Sequence, residues 1–168
     1  DDLAGKFRGQ PVFHLGHLLV FLAVPLIIIT FCYTREVLQA RGRVLGLAGA
    51  VIGIFGAVIL AGDKGALCIV LSAFDTLPQA EFDAIRPALQ SILERRGLLV
   101  IFWALPLLPL GAILQMAGLV RAGLVPTWGG AVGIVGLLLL NNPDLDLVST
   151  VGALCMCSAY VPLGINML

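Results

Sequence analysis

The residue types able to carry chemistry are few in this 168-residue chain. His14 and His17 are its only histidines, and a spacing of three puts them on neighbouring positions of one helical face. A neutral imidazole is a usual axial ligand of haem iron, and the same nitrogen chemistry suits the magnesium of a chlorophyll. His14 and His17 are therefore the candidate cofactor-binding residues, one ring for one haem or chlorophyll. No other stretch offers a histidine for a bis-histidine haem. The competing reading is an interfacial anchor, since a histidine at the start of a membrane helix is easily solvated.

Other constellations are sparse. Cys155 and Cys157 are two apart, about 200° around a helix axis, a poor arrangement for shared metal ligation or a disulfide. With Cys32 they read as small apolar packing residues; for Cys68 the alternative is a disulfide to a partner. No Ser/His/Asp or His-Glu-x-x-His pattern suggests a catalytic set. Asp63-Lys64 reads as a water boundary rather than an acid–base pair, so no catalytic and no metal-binding residue is expected. A small transporter would need polar groups at mid-membrane. The span interiors supply Thr30, Gln115 and Ser158, and Gln115 reads better as an interhelical hydrogen bond. Ten basic and ten acidic residues cancel, leaving no field to draw in nucleic acid.

The elements that must position these residues follow from hydropathy. The composition is 60% hydrophobic and 12% charged, far from the quarter charged of a soluble domain. Five stretches free of Asp, Glu, Lys and Arg stand out: 15–34, 44–62, 97–120, 122–143 and 147–168. About 18 apolar residues cross a bilayer as a helix, whereas a β-barrel strand would alternate, and Leu137-Leu138-Leu139-Leu140 does not. The expected fold is an all-α polytopic transmembrane helix bundle in one domain. It has about five spans (12–35, 44–62 with a possible extension to 74, 97–120, 127–141, 147–166) and one short amphipathic extramembrane helix within 76–96.

Prolines predict bends at Pro25 and at the Pro106/Pro109 pair, and a break near Pro87. Gly46, Gly49, Gly53 and Gly56 form a stripe on the second span, and Gly129, Gly133 and Gly136 one on the fourth. In lipid, such stripes let another backbone approach, within the chain or from a partner. In the polar stretch, Thr76 and Gln79 resemble a capping box, and Phe82, Ile85, Leu89 and Ile92 repeat at helical spacing. That apolar face must be covered by lipid headgroups, by the rest of the chain or by another subunit, and the expectation is a docking surface buried against another part of a complex.

Arg35, Arg41 and Arg43 assign the first loop to the cytoplasm by the positive-inside rule. Five alternating spans then place Arg121 on the same side and Asp144 and Asp146 outside, with the N-terminus out and the C-terminus in. Arg86, Arg95 and Arg96 in the outer segment run against the rule. Trp128 sits where an interfacial anchor would, with the cluster Asn141-Asn142-Pro143 as the next interface. The Arg-ended first helix, the glycine-rich helix after Gly42, and Leu119-Val-Arg-Ala-Gly-Leu-Val-Pro-Thr-Trp128 resemble uncharacterised small multi-pass bacterial membrane proteins. The resemblance implies a bacterial inner membrane and transfers no activity. The residues favour a non-catalytic membrane subunit that packs with other subunits in the bilayer. The alternatives are a haem- or pigment-binding subunit of a light-harvesting or electron-transfer complex, and a small transporter.

Overall fold

The computed structural model describes residues 8–39, 41–140 and 146–166. Asn141-Asn142-Pro143, Asp144 and the side chains of Cys68 and Asp146 lie outside what it describes. Among the described residues the chain is all-α, with seven α-helices: α1 (Pro11–Val37), α2 (Arg43–Lys64), α3 (Val70–Ala73), α4 (Gln79–Leu93), α5 (Leu107–Ala122), α6 (Thr127–Leu140) and α7 (Asp146–Asn166). Four stretches are long and apolar enough to cross a membrane: Pro11–Val37, Arg43–Lys64, Gly97–Ala122 and Leu147–Ile165. Thr127–Leu140 is a shorter apolar helix.

The described chain divides into two compact units, Asp1–Leu26 with Ala57–Leu105, and Ile27–Gly56 with Pro106–Leu168. Two of the three boundaries fall beside proline, one residue past Pro25 and immediately before Pro106. Each proline removes a backbone donor from the helical ladder.

The second unit is held by close helix contacts at glycine. A Cβ on Gly49 would stand 2.6 Å from the Gly111 carbonyl oxygen, and one on Gly56 would stand 2.3 Å from the Leu108 nitrogen. Gly46 meets Leu38, and Gly53 meets the Phe31 ring. On α6, Gly133 faces Met116 and Ala159, Gly136 faces the Gly152 carbonyl, and Gly129 has only ordinary contacts with Val125 and Pro126. Rising numbers on one helix meet falling numbers on the next, so α1/α2, α2/α5, α5/α6 and α6/α7 pair antiparallel. Gln115, 3% exposed, donates from Nε2 to the carbonyls of Phe31 at 2.9 Å and Gly46 at 3.2 Å, joining three helices as an interhelical glutamine should. Helix α5 ends in a Schellman turn: Gly123 is left-handed at φ 77°, with Gly123 N–H donating to Val120 and Leu124 N–H to Leu119.

In the first unit, α2 does not stop at Asp63-Lys64. It continues through a π-helical turn (Gly65–Ile69), α3 and a 3-10 turn (Phe74–Thr76), so the extension to 74 is helical. Three expectations are corrected here. Helix α4 runs unbroken through Pro87, whose missing donor leaves one gap in a helix otherwise held by its buried face. No capping box forms, because Thr76 turns back to donate to the Ala73 carbonyl and Pro78 occupies the cap. The third span is not one α-helix. Gly97–Ala104 is a 3-10 helix, because Pro106 and Pro109 cannot donate to the carbonyls four residues back, and Leu105 N–H closes instead on Phe102.

The apolar face of α4 is covered within the chain. Phe82 and Leu89 are buried with Leu71, against Phe74, Leu77, Ile85 and Leu93, and Ile92 packs against Ile59 and Phe102. The expected docking surface is thus an internal seam, because the helical extension beyond Lys64 brings Leu71 and Phe74 onto it.

Candidate functional site

Polar side chains gather in the first unit, at the start of α1 and on the helical extension after Lys64. The start of α1 supplies His14 and His17. The π turn widens one turn by a residue, and Val70 N–H donates to the Gly65 carbonyl. That extra residue rotates the downstream helix by about 100° and sets the face on which Ser72 and Asp75 emerge.

His14 Nε2 lies 2.9 Å from Asp75 Oδ2. A carboxylate only accepts, so the ring nitrogen donates and Nε2 carries the proton. His14 Nδ1 is buried without a partner. The lone pair an iron or magnesium would need is therefore inaccessible on His14. His17 is arranged the other way: its Nδ1–H donates to the Phe13 carbonyl at 2.7 Å, leaving the lone pair on Nε2. A backbone bond on one nitrogen that frees the other is the usual setting of a ligating imidazole. The two histidines share a face but not a function. Phe13 packs against both rings, edge-on to His14 and tilted on His17.

His14 and Asp75 form the polar end of an open groove of about 490 Å³ lined by Gly9, Pro11, Leu15, Leu18, Ile69 and Ser72. Linear spacing hid this meeting of Ser72, His14 and Asp75, sixty-one residues separating the last two. It is not a nucleophile–base–acid array, because Ser72 Oγ donates to the Ile69 carbonyl and not to the histidine. Beside the groove, Arg8 donates to Gln79 Oε1 and the Leu77 carbonyl, each at 2.5 Å, and lies 4.3 Å over the Phe82 ring.

A second cluster centres on Asp63, 1% exposed. Arg95 Nη2 reaches its Oδ1 at 3.2 Å, and Lys64 Nζ reaches Oδ2 at 3.1 Å. Arg95 also lies 5.1 Å over the Trp103 ring. Its backbone is left-handed at φ 55°, a conformation costing a side-chain-bearing residue roughly 1–2 kcal/mol. The buried carboxylate and the indole hold it there. The Asp63-Lys64 pair thus makes an ion cluster with Arg95 as well as ending an apolar run. Next to it, Gln90 and Arg96 hold the exposed Glu94 carboxyl below the usual carboxylate range.

Among the described residues no group of three His, Cys, Asp or Glu side chains is placed to hold a metal ion, and Cys32, Cys155 and Cys157 are free thiols. Comparison with protein-family models, curated proteins and solved structures finds no match.

Proposed function

We propose that this chain is a non-catalytic multi-pass subunit of a bacterial inner-membrane complex, with five helical segments in the bilayer and its work done by side-to-side packing. The observation that carries this reading is the exposed apolar face of α1. Leu19, Leu22, Leu26, Ile29 and Tyr33 are each more than half exposed and alternate three and four residues apart. That spacing is the seam of a helix pair, filled by interlocking side chains. Gly46, Gly49, Gly53 and Gly56 of α2 and Gly133 and Gly136 of α6 are already occupied within the chain, so a partner helix meets the α1 seam instead.

The antiparallel succession α1, α2, α5, α6, α7 supports five crossings, with the fourteen-residue α6 as a short one, about 21 Å long. With Arg35, Arg41, Arg43 and Arg121 cytoplasmic, the N-terminus lies outside and the C-terminus inside. A photoreactive side chain at Leu19 or Leu26 is expected to yield one protein adduct of defined mass in the native membrane. The same group at Val51 or Val58 of α2 should give lipid adducts. Lipid adducts alone at all four positions overturn the subunit reading and leave the bilayer reading standing.

A second reading has one observation in its favour, the free Nε2 of His17. If the subunit carries a haem or chlorophyll, His17→Leu abolishes its absorption band in the purified complex while His14→Leu retains it. A complex without such a band removes this reading.

A further inference from the structure

The groove at the start of α1 has an apolar wall and a polar end of defined sense. Leu15, Leu18 and Ile69 make the wall. At the polar end the hydrogens are already committed: His14 Nε2–H goes to Asp75, and the Ser72 hydroxyl goes to the Ile69 carbonyl. What remains to offer a ligand is lone pairs, on Ser72 Oγ and on an Asp75 side chain that keeps 23% of its surface accessible. Apart from the hydrogen bond from His14, Asp75 has no charged partner among the described residues. Such an end selects a donor and, in a partly apolar groove, a positively charged one.

The opposite charge stands beside it. The Arg8 guanidinium meets only neutral acceptors, Gln79 Oε1 and the Leu77 carbonyl, among the described residues. Leu77 is two residues along the chain from Asp75. A carboxylate and a guanidinium, neither neutralised by the other, complement a zwitterion whose cation and anion are a few bonds apart.

Position identifies the source. Helix α1 has 27 residues, about 40 Å, against a bilayer core of about 30 Å. His14 is its fourth residue, so the groove lies at the end of a candidate span, at headgroup depth.

We propose that the groove between His14 and Asp75 is a binding site for a membrane phospholipid with a primary ammonium headgroup, its ammonium on Asp75 and Ser72, its phosphate toward Arg8, and an acyl chain along Leu15, Leu18 and Ile69. The site rests on the bilayer reading above but not on the existence of a partner subunit.

The test reconstitutes the full chain into vesicles containing phosphatidylethanolamine, phosphatidylcholine and phosphatidylglycerol in equal parts, and identifies retained lipid by native mass spectrometry. Wild type is expected to keep one phosphatidylethanolamine preferentially. The choline head carries the same charge without N–H donors, and the glycerol head lacks the cation. Asp75→Asn should lower the preference about tenfold, the cost of losing a charged hydrogen bond. Arg8→Gln should weaken retention of both zwitterionic lipids. Leu15→Trp, at an exposed groove position, should block the site without touching the polar pair, and it serves if Asp75→Asn fails to fold. Glu36→Gln, near the C-terminal end of α1, should change nothing. Lipid retained in proportion to vesicle composition, or a preference that survives both Asp75→Asn and Leu15→Trp, overturns the site. Failure of the wild-type chain to float with the vesicles would instead overturn the bilayer reading.

Discussion

At the residue scale, identical residue types carry different consequences because their neighbours differ. A Cβ on Gly56 runs into backbone of α5, whereas one on Gly16 meets nothing within 4 Å. Gly56→Ala is therefore expected to destabilise the chain by about 1–3 kcal/mol, since backbone cannot swing aside as a side chain does. Gly16→Ala, which only improves helix propensity, should stabilise by up to about 1 kcal/mol. Thermal unfolding in one detergent measures both, and equal effects would mean that the Gly56 contact is not made. Asp63 is the other residue with a sharp expectation. Asp63→Asn removes the carboxylate from Arg95 and Lys64, each about three-quarters buried, and should cost about 1–3 kcal/mol. Part of the loss should return in the double variant with Arg95→Gly, because glycine adopts the left-handed backbone without strain. Strict additivity of the two substitutions would show that the cluster is not coupled.

At the element scale, the feature with the largest reach is the π turn after Lys64. One surplus residue sets the angular phase of Ser72 and Asp75 relative to the rest of the long helix. Deleting Ala66 should let the segment relax to an α-helix, preserving helical content by circular dichroism while turning Asp75 away from His14. The deletion should then lose the lipid preference of the groove as completely as Asp75→Asn does, and retention of that preference would show that the phase does not matter. Helix α4 makes a complementary case. Its face is covered by Leu71, Phe74 and Leu77 of its own chain, so Phe82→Asp should destabilise the isolated protein by about 3–5 kcal/mol, through the loss of a buried aromatic side chain and the burial of a charge. An isolated chain indifferent to Phe82→Asp would restore the reading of this face as a partner's docking site.

At the scale of the whole molecule, the proposed topology is decided by whether α6 crosses. Five crossings put the loop after α1 and the end of α7 on the same, cytoplasmic side. In a background without native cysteines, a thiol at Gln39 should label only from the cytoplasm and one at Glu81 only from outside. A thiol at Ile165 should behave like the one at Gln39. If Ile165 labels from outside while Gln39 stays inside, α6 is a membrane-inserted hairpin arm and the count falls to four.

The uncharged runs and their lengths were enough to make this an all-α chain with long apolar helices, because a backbone in lipid must satisfy its hydrogen bonds within each segment, whatever it packs against. The glycine spacing on α2 was likewise legible, since a stripe of small residues depends only on helical period. Which surface the stripe meets was not, because intrachain and partner contacts ask the same of the sequence; the approach of Gly49 to Gly111 and of Gly56 to Leu108 decided it. The α4 face was legible as apolar and misassigned for the same reason, periodicity revealing that a face is covered but not by what. His14 and His17 looked equivalent at a spacing of three. They diverged only when Asp75, sixty-one residues away, took the Nε2–H of one and the Phe13 carbonyl took the Nδ1–H of the other. The groove was wholly a product of tertiary structure, because a π turn leaves no mark in hydropathy, and without its shift of phase Ser72 and Asp75 have no reason to face α1.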